Sequence, residues 1–600
     1  MFRKRAISAV ALVAIIVLAA CNGLTVNEKG VYTSSPTQLI TGTVEVAAGD
    51  SLTSVTVNGN PATVDGKTWS YELPLDGEAI FNSVNVEATF ANGDVFRERR
   101  TVVYGDGTTA TIVPEGQVLN NAVGLRVNER SFTKLGPVIK SLTTIDTAAI
   151  APPGTVILDE CITSIVVCTV YATATTAAAP TLADFSVELD SNQGNVRAVV
   201  TLADLNVPLD VDARIFGIPS NCALNVDAAS VTIDGNYALS PDPVDPHNLD
   251  VNLVGATPTV TANDVDSDFT SGICSIPVIE QIVGLLLPDV TDLLETNLTT
   301  LLGDPDGAGA VDSPVADAIE AALDQVNIAG PIGESLGLNL DSTITAADED
   351  TAGIDLRSTA LFTSAGVVPE APDLTGSVGF GDTLDAIGPD SPSGAPFDVA
   401  VGASITGFNQ LLAGETERGL VNVDVSELGG QPVTLKSLFD TIGAGGIVTD
   451  DRPVVIQLRP EVAPVVTTAD PPEGSLGEMR FNGYRVTVKT SDETQAVLME
   501  LVIDFTTGIS LGLADDGLAF EFDQPAPENF SSDIVKNPLN LPDELVDQVF
   551  ATLTPQVFDA VGDALPKFPL PQFVGLDLQL VEVARVGSGF VLYTDLVPAP

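Results

Sequence analysis

Few residues in this chain have the types and spacing that chemistry requires. Histidine occurs once, at His247 in the stretch PDPVDPHNLD, so a Ser/His/Asp triad would depend on that residue. A Gly-rich phosphate loop, a CxxC pair and an HExxH motif are all missing from the sequence. Nothing singles out a catalytic carboxylate pair among the 81 Asp and Glu residues. We therefore expect a protein that is not an enzyme and that uses no metal or cofactor.

Closely spaced aspartates could instead bind calcium. Two groups have suitable spacing: Asp264, Asp266 and Asp268, and then Asp304, Asp306 and Asp312. Both groups lack the glycine and the distal Glu that a calcium loop requires. We interpret them as solvated loops and keep calcium binding as the alternative.

Cys21 is a candidate for covalent modification. It follows a basic start, an apolar run from Ala6 to Leu18, and the residues Leu-Ala-Ala. This is the pattern of a secretory leader, and its end resembles the lipobox of bacterial lipoproteins. The resemblance implies a signal peptide at 1–20, acylation of Cys21 and a tether at 21–38, because acyl chains anchor a protein to a bilayer. Asn22 after the cysteine favours an outer membrane lipoprotein, on the periplasmic face or the cell surface.

The other four cysteines are expected to form disulfides, because an exported chain meets an oxidising compartment and only one histidine could help to bind a metal. Cys161 and Cys168 bracket a hairpin-like stretch and are close enough in sequence to bond with each other. Cys222 lies on a predicted strand and Cys274 at the start of a predicted helix, and we predict a bond between them as well. Four cysteines allow three pairings, so the sequence alone leaves the connectivity open.

Length and charge restrict the class of protein. At 600 residues the chain should form roughly three or four domains. Its net charge of −56 excludes a nucleic-acid surface, which needs clustered Lys and Arg to neutralise phosphates, and also a basic patch for anionic headgroups. We expect a solvated acidic surface. Only 5% aromatics, with 40 Pro and 52 Gly, indicate many short strands and few helices, which is an α+β chain that is mostly β.

The segment 39–105 shows alternating strands separated by turn residues, which is typical of a small β-sandwich. It resembles the bacterial Ig-like domains of exported proteins, with Val57-Asn58-Gly59 and Trp69-Ser70 at the places where those domains often show such residues. We expect Trp69 to belong to the core rather than to a sugar-binding platform.

The longest apolar run after the leader is Ser271–Leu302. Its second half has apolar residues at three- and four-residue intervals, which predicts one face of a helix. Ser131–Leu142 and Val315–Val326 show the same period, and Phe185–Leu239 reads as a succession of short alternating strands that the helices could cover. We assign 120–370 to one unit. Its apolar run is interrupted by prolines and acids, so we predict no membrane span.

A connection at 371–396 leads into a second unit, 397–600, that repeats this plan. A strand enters a helix with Ile405, Phe408, Leu411 and Leu412 on one face, further strands follow, and a helix at Asp543–Leu565 precedes paired closing strands. We interpret the two units as an internal duplication with a period too long for a solenoid.

Four features, in this order along the chain, together resemble the tubular lipid-binding (TULIP) superfamily and its bactericidal/permeability-increasing and lipid-transfer branch. They are GLRVNERSFTKL, the Cys222 and Cys274 pair, ITGFNQLLAGETERGLV and LPKFPLP. The resemblance covers about 120–600. It implies a boomerang of two barrels, each a curved antiparallel sheet wrapped on long helices, joined by a central sheet.

The resemblance also implies that acyl chains lie between helix and sheet in each barrel. The implied lining of the first barrel is Leu125, Phe132, Leu135, Ile139, Ile279, Ile282, Val283 and Leu286. The implied lining of the second barrel is Ile405, Phe408, Leu412, Val546, Phe550 and Leu553. Each of these residues could equally belong to an ordinary filled core.

One departure from the branch concerns the ligand. Endotoxin-binding members use a basic tip, whereas this chain has 25 Lys and Arg against 81 acids. We therefore expect neutral or zwitterionic lipid, bound through burial of acyl chains. The favoured function is a membrane-anchored lipid-binding or lipid-transfer protein. The alternative is a structural or adhesive surface lipoprotein with packed barrels, in which the Ig-like domain is the interaction module.

Overall fold

The computed structural model describes residues 22–598 except 165–166, 273–276, 303–313, 325–337, 429–430, 441, 443, 445, 447, 449, 515–516, 524 and 551–575. The chain is mostly β, and several of its sheets curve into half-barrels.

The N-terminal part is a sandwich of two sheets. Its strands are β1 Gly23–Val26, β2 Val31–Thr33, β3 Thr37–Glu45, β4 Leu52–Val57, β5 Asn60–Pro61, β6 Thr63–Asp65, β7 Thr68–Pro74, β8 Phe81–Phe90 and β9 Val95–Tyr104. One sheet has the order β1-β3-β7-β6 and the other β2-β9-β8-β4-β5. Trp69 lies in the core between them, 2% exposed. Gly42 pairs with Trp69, and a Cβ on Gly42 would come within 2.5 Å of the indole ring, so this position needs glycine.

The predicted tether is wrong for most of its length. Strands β1 and β2 lie within 21–38 and pair with β3 and β9, so the sandwich begins at Gly23 rather than at residue 39. The sequence pattern missed them because both strands are short and do not alternate strictly.

A central sheet joins two larger halves. Its strands are β11 Leu119–Asn128, β18 Leu338–Asp341, β19 Ile344–Asp350, β20 Gly353–Ser364, β22 Val399–Ser404, β32 Leu576–Val586 and β33 Gly589–Pro598. The order is β18-β20-β11-β22-β33-β32, with β19 also on β20. Strands β11 and β22 are antiparallel neighbours, so one strand from each half meets at the middle of the molecule.

The first half is built on a six-stranded sheet of order β12-β13-β15-β16-β17, with β14 on β15. Its strands are β12 Val156–Ser164, β13 Cys168–Thr176, β14 Asp184–Asn192, β15 Asn195–Ile215, β16 Ile218–Pro241 and β17 Leu249–Gly272. Four helices accompany it: α1 Glu129–Leu142, α2 Thr147–Ile150, α3 Pro277–Leu302 and α4 Pro314–Asp324. Helix α1 packs on β14, and α3 and α4 pack on β17.

The second half repeats this plan with a seven-stranded sheet of order β23-β26-β28-β29-β30, with β27 on β28 and β31 on β29. Its strands are β23 Val423–Val425, β26 Val454–Pro460, β27 Val465–Thr467, β28 Gly477–Thr490, β29 Val497–Ala514, β30 Gly517–Phe522 and β31 Phe530–Lys536. Its helices are α5 Ile405–Glu417, α6 Leu435–Asp440 and a segment helical from 543 to 550. A one-turn 3-10 helix spans Pro527–Asn529.

Two short ribbons complete the fold: β10 Thr111–Pro114 with β21 Gly376–Gly379, and β24 Glu427–Leu428 with β25 Gln431–Pro432. Strand β21 lies inside the predicted connection at 371–396, so that segment is not merely a linker. No helix in the described residues is long and apolar enough to cross a membrane.

Candidate functional site

The lining residues predicted for the first half come together in one apolar cluster. Leu125 lies on β11, three residues before the N-cap of α1, rather than on the helix. The cluster includes Leu125, Phe132, Leu135, Ile139, Ile282 and Leu286, all at 5% exposure or less. Val283 is partly buried and packs against it. Ile279 lies on α3, but its side chain is outside the described part of the chain.

Helix α1 approaches the sheet closely because of a glycine. A Cβ on Gly136 would lie 2.4 Å from the carbonyl oxygen of Val187 on β14, so only glycine permits this contact. On the central-sheet side, Lys134 and Arg130 form ion pairs with Asp398, which is fully buried. The helix is thus held between β14 and the central sheet with its apolar face toward the cluster.

The lining residues predicted for the second half form a separate cluster. It contains Ile405, Phe408, Leu412, Val546 and Phe550, all at 7% exposure or less. Leu553 lies outside the described residues. The structure therefore brings the two predicted sets together in two different places, one in each half.

Hydrogen bonds fix the position of α5 in the second half. Ser404 Oγ caps the helix by accepting from the backbone N–H of Gly407 at 3.0 Å. The Asn409 amide exchanges two hydrogen bonds with the backbone of Val466 on β27, at 2.8 and 2.9 Å. Gln410 accepts from the Phe362 N–H at 2.9 Å. These polar contacts fix the rotation of α5 about its own axis. They therefore keep its apolar face directed toward the cluster.

Strands β11 and β22, and the helices that follow them, occupy equivalent positions in the two halves. Leu125 and Val401 face each other across β11 and β22, and each lies three residues before its helix N-cap, Asn128 or Ser404. Phe132 and Phe408 are also equivalent, because each lies four residues after the N-cap of its helix. The duplication inferred from sequence therefore has a geometric counterpart in these strands and helices.

Glu415 breaks this equivalence, because it occupies on α5 the position of the apolar Ile139 on α1. Its side chain is fully buried, and neither carboxyl oxygen has a hydrogen-bond partner in the described part of the chain. Burial raises its pKa to about 8, so the carboxyl group is mostly protonated at neutral pH.

Glu417, one half-turn further on, is 7% exposed. It accepts from Ser364 Oγ at 2.6 Å and from the Leu374 N–H at 3.1 Å. Burial raises its pKa, and the charges of Glu115 and Asp373 add to that effect. Sequence reasoning missed both acids of α5, although the run GETE after an apolar helix face was a visible signal.

Two cysteine sites are visible. Cys161 and Cys168 form a disulfide with Cα atoms 5.8 Å apart. Cys222 on β16 is also disulfide-bonded. Cys21 and Cys274 lie outside the described residues, so the predicted Cys222–Cys274 bond stays a prediction.

Exposed apolar side chains gather at one end of the first-half sheet. Phe216 and Ile218, at the turn between β15 and β16, are 75% and 70% exposed, and Val167 in the neighbouring β12–β13 hairpin is 70% exposed. The Phe216 N–H donates to Thr169 O at 2.8 Å and links the two hairpins. Phe216 also has a φ of +49°, a conformation that bulky residues rarely adopt. We call Val167, Phe216 and Ile218 the apolar tip.

The candidate metal and catalytic residues lie apart from these clusters. Asp264, Asp266 and Asp268 belong to β17, so the loop interpretation is wrong for them: their two-residue spacing is the period of a strand face. Asp304, Asp306 and Asp312 lie outside the described residues. Among the residues described, no three His, Cys, Asp or Glu side chains are grouped so that they could hold a metal. His247 Nδ1 lies 3.0 Å from Ser342 O and 3.6 Å from an Asp341 carboxylate oxygen.

No family matches the sequence, and no curated protein is similar to it. Among solved structures, a lipopolysaccharide binding protein is 12% identical, with a TM-score of 0.42 over 80% of this chain and 100% of its own. P47 of Clostridium botulinum E1 is 8% identical, with a TM-score of 0.22 over 80% and 100% of the two chains. P47 from Clostridium botulinum A2 is 10% identical, with a TM-score of 0.22 over 80% and 99%. These scores are too low to establish a common fold.

Proposed function

We propose that this protein binds lipid, or another elongated apolar ligand, between helix and curved sheet in each of its two halves. One observation carries the proposal: all the predicted lining residues whose side chains are described gather in two separate apolar clusters, each formed by helices against a curved sheet. A ligand there would gain about 25 cal/mol per Å² of apolar surface removed from water.

The proposal includes a particular arrangement. The protein is a lipoprotein anchored in the outer membrane through acylated Cys21, and its N-terminal sandwich is Ig-like. The two halves form the boomerang of the TULIP superfamily. The ligand is neutral or zwitterionic, because a chain with a net charge of −56 repels anionic headgroups. Binding, rather than catalysis, is the function.

The apolar tip supports contact with a lipid surface. Exposed phenylalanine and isoleucine side chains on one turn are unfavourable in water, and the left-handed backbone at Phe216 adds strain. Insertion into a bilayer would bury the side chains at the end of the half that is proposed to hold lipid.

The deep burial of the lining residues in both clusters favours a second candidate function. The lining residues with 7% exposure or less are what a filled core would show. On this reading the protein is a structural or adhesive surface protein, and the sandwich is the interaction module.

Lipid extraction separates the two candidates. The full chain is purified without harsh detergent, extracted and analysed by mass spectrometry, and the delipidated protein is titrated with a fluorescent fatty-acyl probe. Lipid binding predicts co-purified lipid and saturable probe uptake that is lost on unfolding in urea. Recovery of no lipid together with no uptake would reject the proposal and favour the packed surface protein.

A further inference from the structure

A cleft at the end of α5 has the features of a small cation site. It is an open cavity of about 30 Å³, bounded by the last turn of α5, the end of β20, and the β10–β21 ribbon with its following turn. A buried water needs roughly 10–15 Å³ by this measure, so there is room for about two water-sized groups. Val113 and Phe362 of the second-half cluster form part of its lining, but the polar groups of the cleft belong to neither cluster, and the site does not depend on the proposed lipid function.

The electrostatics of the cleft favour positive charge. Glu417 and Glu115 line it, and no Lys or Arg is among its lining residues. The last turn of α5 also lines the cleft, and its carbonyl groups already accept backbone hydrogen bonds, so the negative charge of the cleft comes from the two carboxylates. Arg418 follows directly in sequence, but its guanidinium donates to Gly366 O at 3.1 Å instead.

Hydrogen-bonding capacity is left over in the cleft. Each carboxyl oxygen of Glu417 accepts one protein hydrogen bond, which leaves lone pairs for a further donor. Ser377 is 4% exposed and lines the cleft, and its Oγ has no hydrogen-bond partner among the described residues. A buried hydroxyl without a partner is unfavourable, so this second and independent feature also favours a ligand in the cleft.

We propose that this cleft binds a primary ammonium group, with Glu417 as its counter-ion and Ser377 Oγ as a second acceptor. An ammonium group has three N–H donors and the size of a water molecule. A quaternary trimethylammonium group has no N–H donor and exceeds the volume of the cleft. The ammonium group can belong to a small free amine or to the ethanolamine headgroup of a lipid.

Calorimetric titration of the full chain tests the site with methylammonium chloride, against tetramethylammonium chloride at equal ionic strength. We expect saturable binding of methylammonium only. Glu417→Gln should weaken it by about tenfold or more, since a charge-assisted hydrogen bond is lost, and Ser377→Ala by roughly fivefold. Glu493→Gln, in an exposed turn, is the matched control and should bind as the wild type does.

Ser377→Ala leaves both protein hydrogen bonds of Glu417 in place, so it remains informative if Glu417→Gln does not fold. Absence of saturable methylammonium binding overturns the proposal. Equal binding of methylammonium by the wild type and by Ser377→Ala also overturns it. Equal binding of tetramethylammonium and methylammonium by the wild type does the same, because either result indicates association with the acidic surface alone.

Vesicles distinguish the two sources of the ammonium group. Tighter association with phosphatidylethanolamine than with phosphatidylcholine vesicles, reduced by Ser377→Ala and abolished by excess methylammonium, identifies the lipid headgroup. Equal association with both vesicles, alongside saturable methylammonium binding, identifies a free amine. Uptake of the acyl probe is a separate measurement, so the cation site and the lipid function can fail independently.

Discussion

At the residue scale, Glu415 allows the sharpest prediction. Its pKa is raised from 4.5 to about 8 because burial disfavours the charged form. Between these two values the unfolded chain has lost the proton and the folded chain retains it. The free energy of unfolding therefore falls as pH rises through this window and levels off above pH 8.

Glu415→Gln should remove this contribution to the pH dependence. We expect the variant and the wild type to have similar stability near pH 4.5. At pH 9 the variant should be more stable by on the order of 5 kcal/mol, since each pKa unit corresponds to about 1.4 kcal/mol. Urea unfolding from pH 4.5 to 9 measures the difference, and Glu493→Gln is the control. Parallel profiles for Glu415→Gln and the wild type would contradict this account.

Glu415 also shows which residues of the site sequence patterns can predict and which they cannot. Apolar residues at helical spacing, such as Phe132 and Phe408, are buried as expected because burial follows hydrophobicity. The same rule assigns acids to the solvent face, so it gives no indication that Glu415 and Glu417 are buried. Their burial depends on β20 and β21 packing against α5, and no local pattern encodes that contact.

At the element scale, the apolar tip can be separated from the rest of the sheet. Phe216→Asn should suit the left-handed turn better than phenylalanine does and so leave the free energy of unfolding unchanged or increase it by up to about 1 kcal/mol. If the tip contacts lipid, the same change should weaken association with phosphatidylcholine vesicles by roughly tenfold. Flotation and urea unfolding measure the two effects.

Val244→Asn is the matched control for the tip. Val244 is 90% exposed and lies in the turn between β16 and β17, where an apolar side chain is equally unfavourable in water. The control should float with vesicles as the wild type does. Equal losses in both variants would mean that general surface hydrophobicity, rather than the tip, determines vesicle association.

The predicted Cys222–Cys274 bond concerns the docking of α3 on the first-half sheet. Replacing both cysteines by serine should lower the stability of the first half by roughly 2–5 kcal/mol and leave the melting of the second half largely unchanged. The Cys161→Ser/Cys168→Ser control removes a bridge with a sequence separation of only 7, which should contribute less. Calorimetry compares the variants, and non-reducing peptide mapping that finds Cys222 paired with Cys21 would refute the assignment.

Element types could be predicted from sequence much better than element lengths and partners. Helices α1, α4 and α5 begin within a few residues of their predicted positions, because their apolar period is local information. The first short strand predicted in Phe185–Leu239 is β14, with 9 residues, but the others are parts of long strands, of which β15 has 21 residues and β16 has 24. Polar residues and Pro208 interrupt the alternating pattern of β15. The strand nevertheless continues through this point, because Pro208 pairs with Asn225 of β16. The pairing of β11 with β22 joins segments far apart in sequence, which no local pattern can reveal.

At the scale of the whole molecule, the sandwich is fastened to the second half by a buried ion network. Arg100 of β9 pairs with Glu461 at 2.7 Å, and Arg485 of β28 pairs with Glu98 of β9 at 2.5 Å and with Glu461 at 2.7 Å. Arg99 pairs with Asp504 and with Asp533. Beside this network, the Ala463 N–H donates to the Tyr32 hydroxyl at 3.0 Å within a small apolar cluster. The sandwich is therefore not a free module on a flexible linker.

Arg485→Met should uncouple the sandwich from the second half. Arg485 pairs with Glu98, Glu461 and Glu500, and removing one partner of a buried ion cluster costs about 3–5 kcal/mol because the remaining charges stay desolvated. Calorimetry of the full chain should show an early transition for the sandwich, while the first half melts as in the wild type. Arg452→Met is the matched control: Arg452 pairs only with Asp450 among the described residues, at 2.5 Å and half-exposed, so its loss should cost less than about 1 kcal/mol. If both variants gave the same thermogram, the apolar contacts around Tyr32, and not the ion network, would hold the sandwich in place.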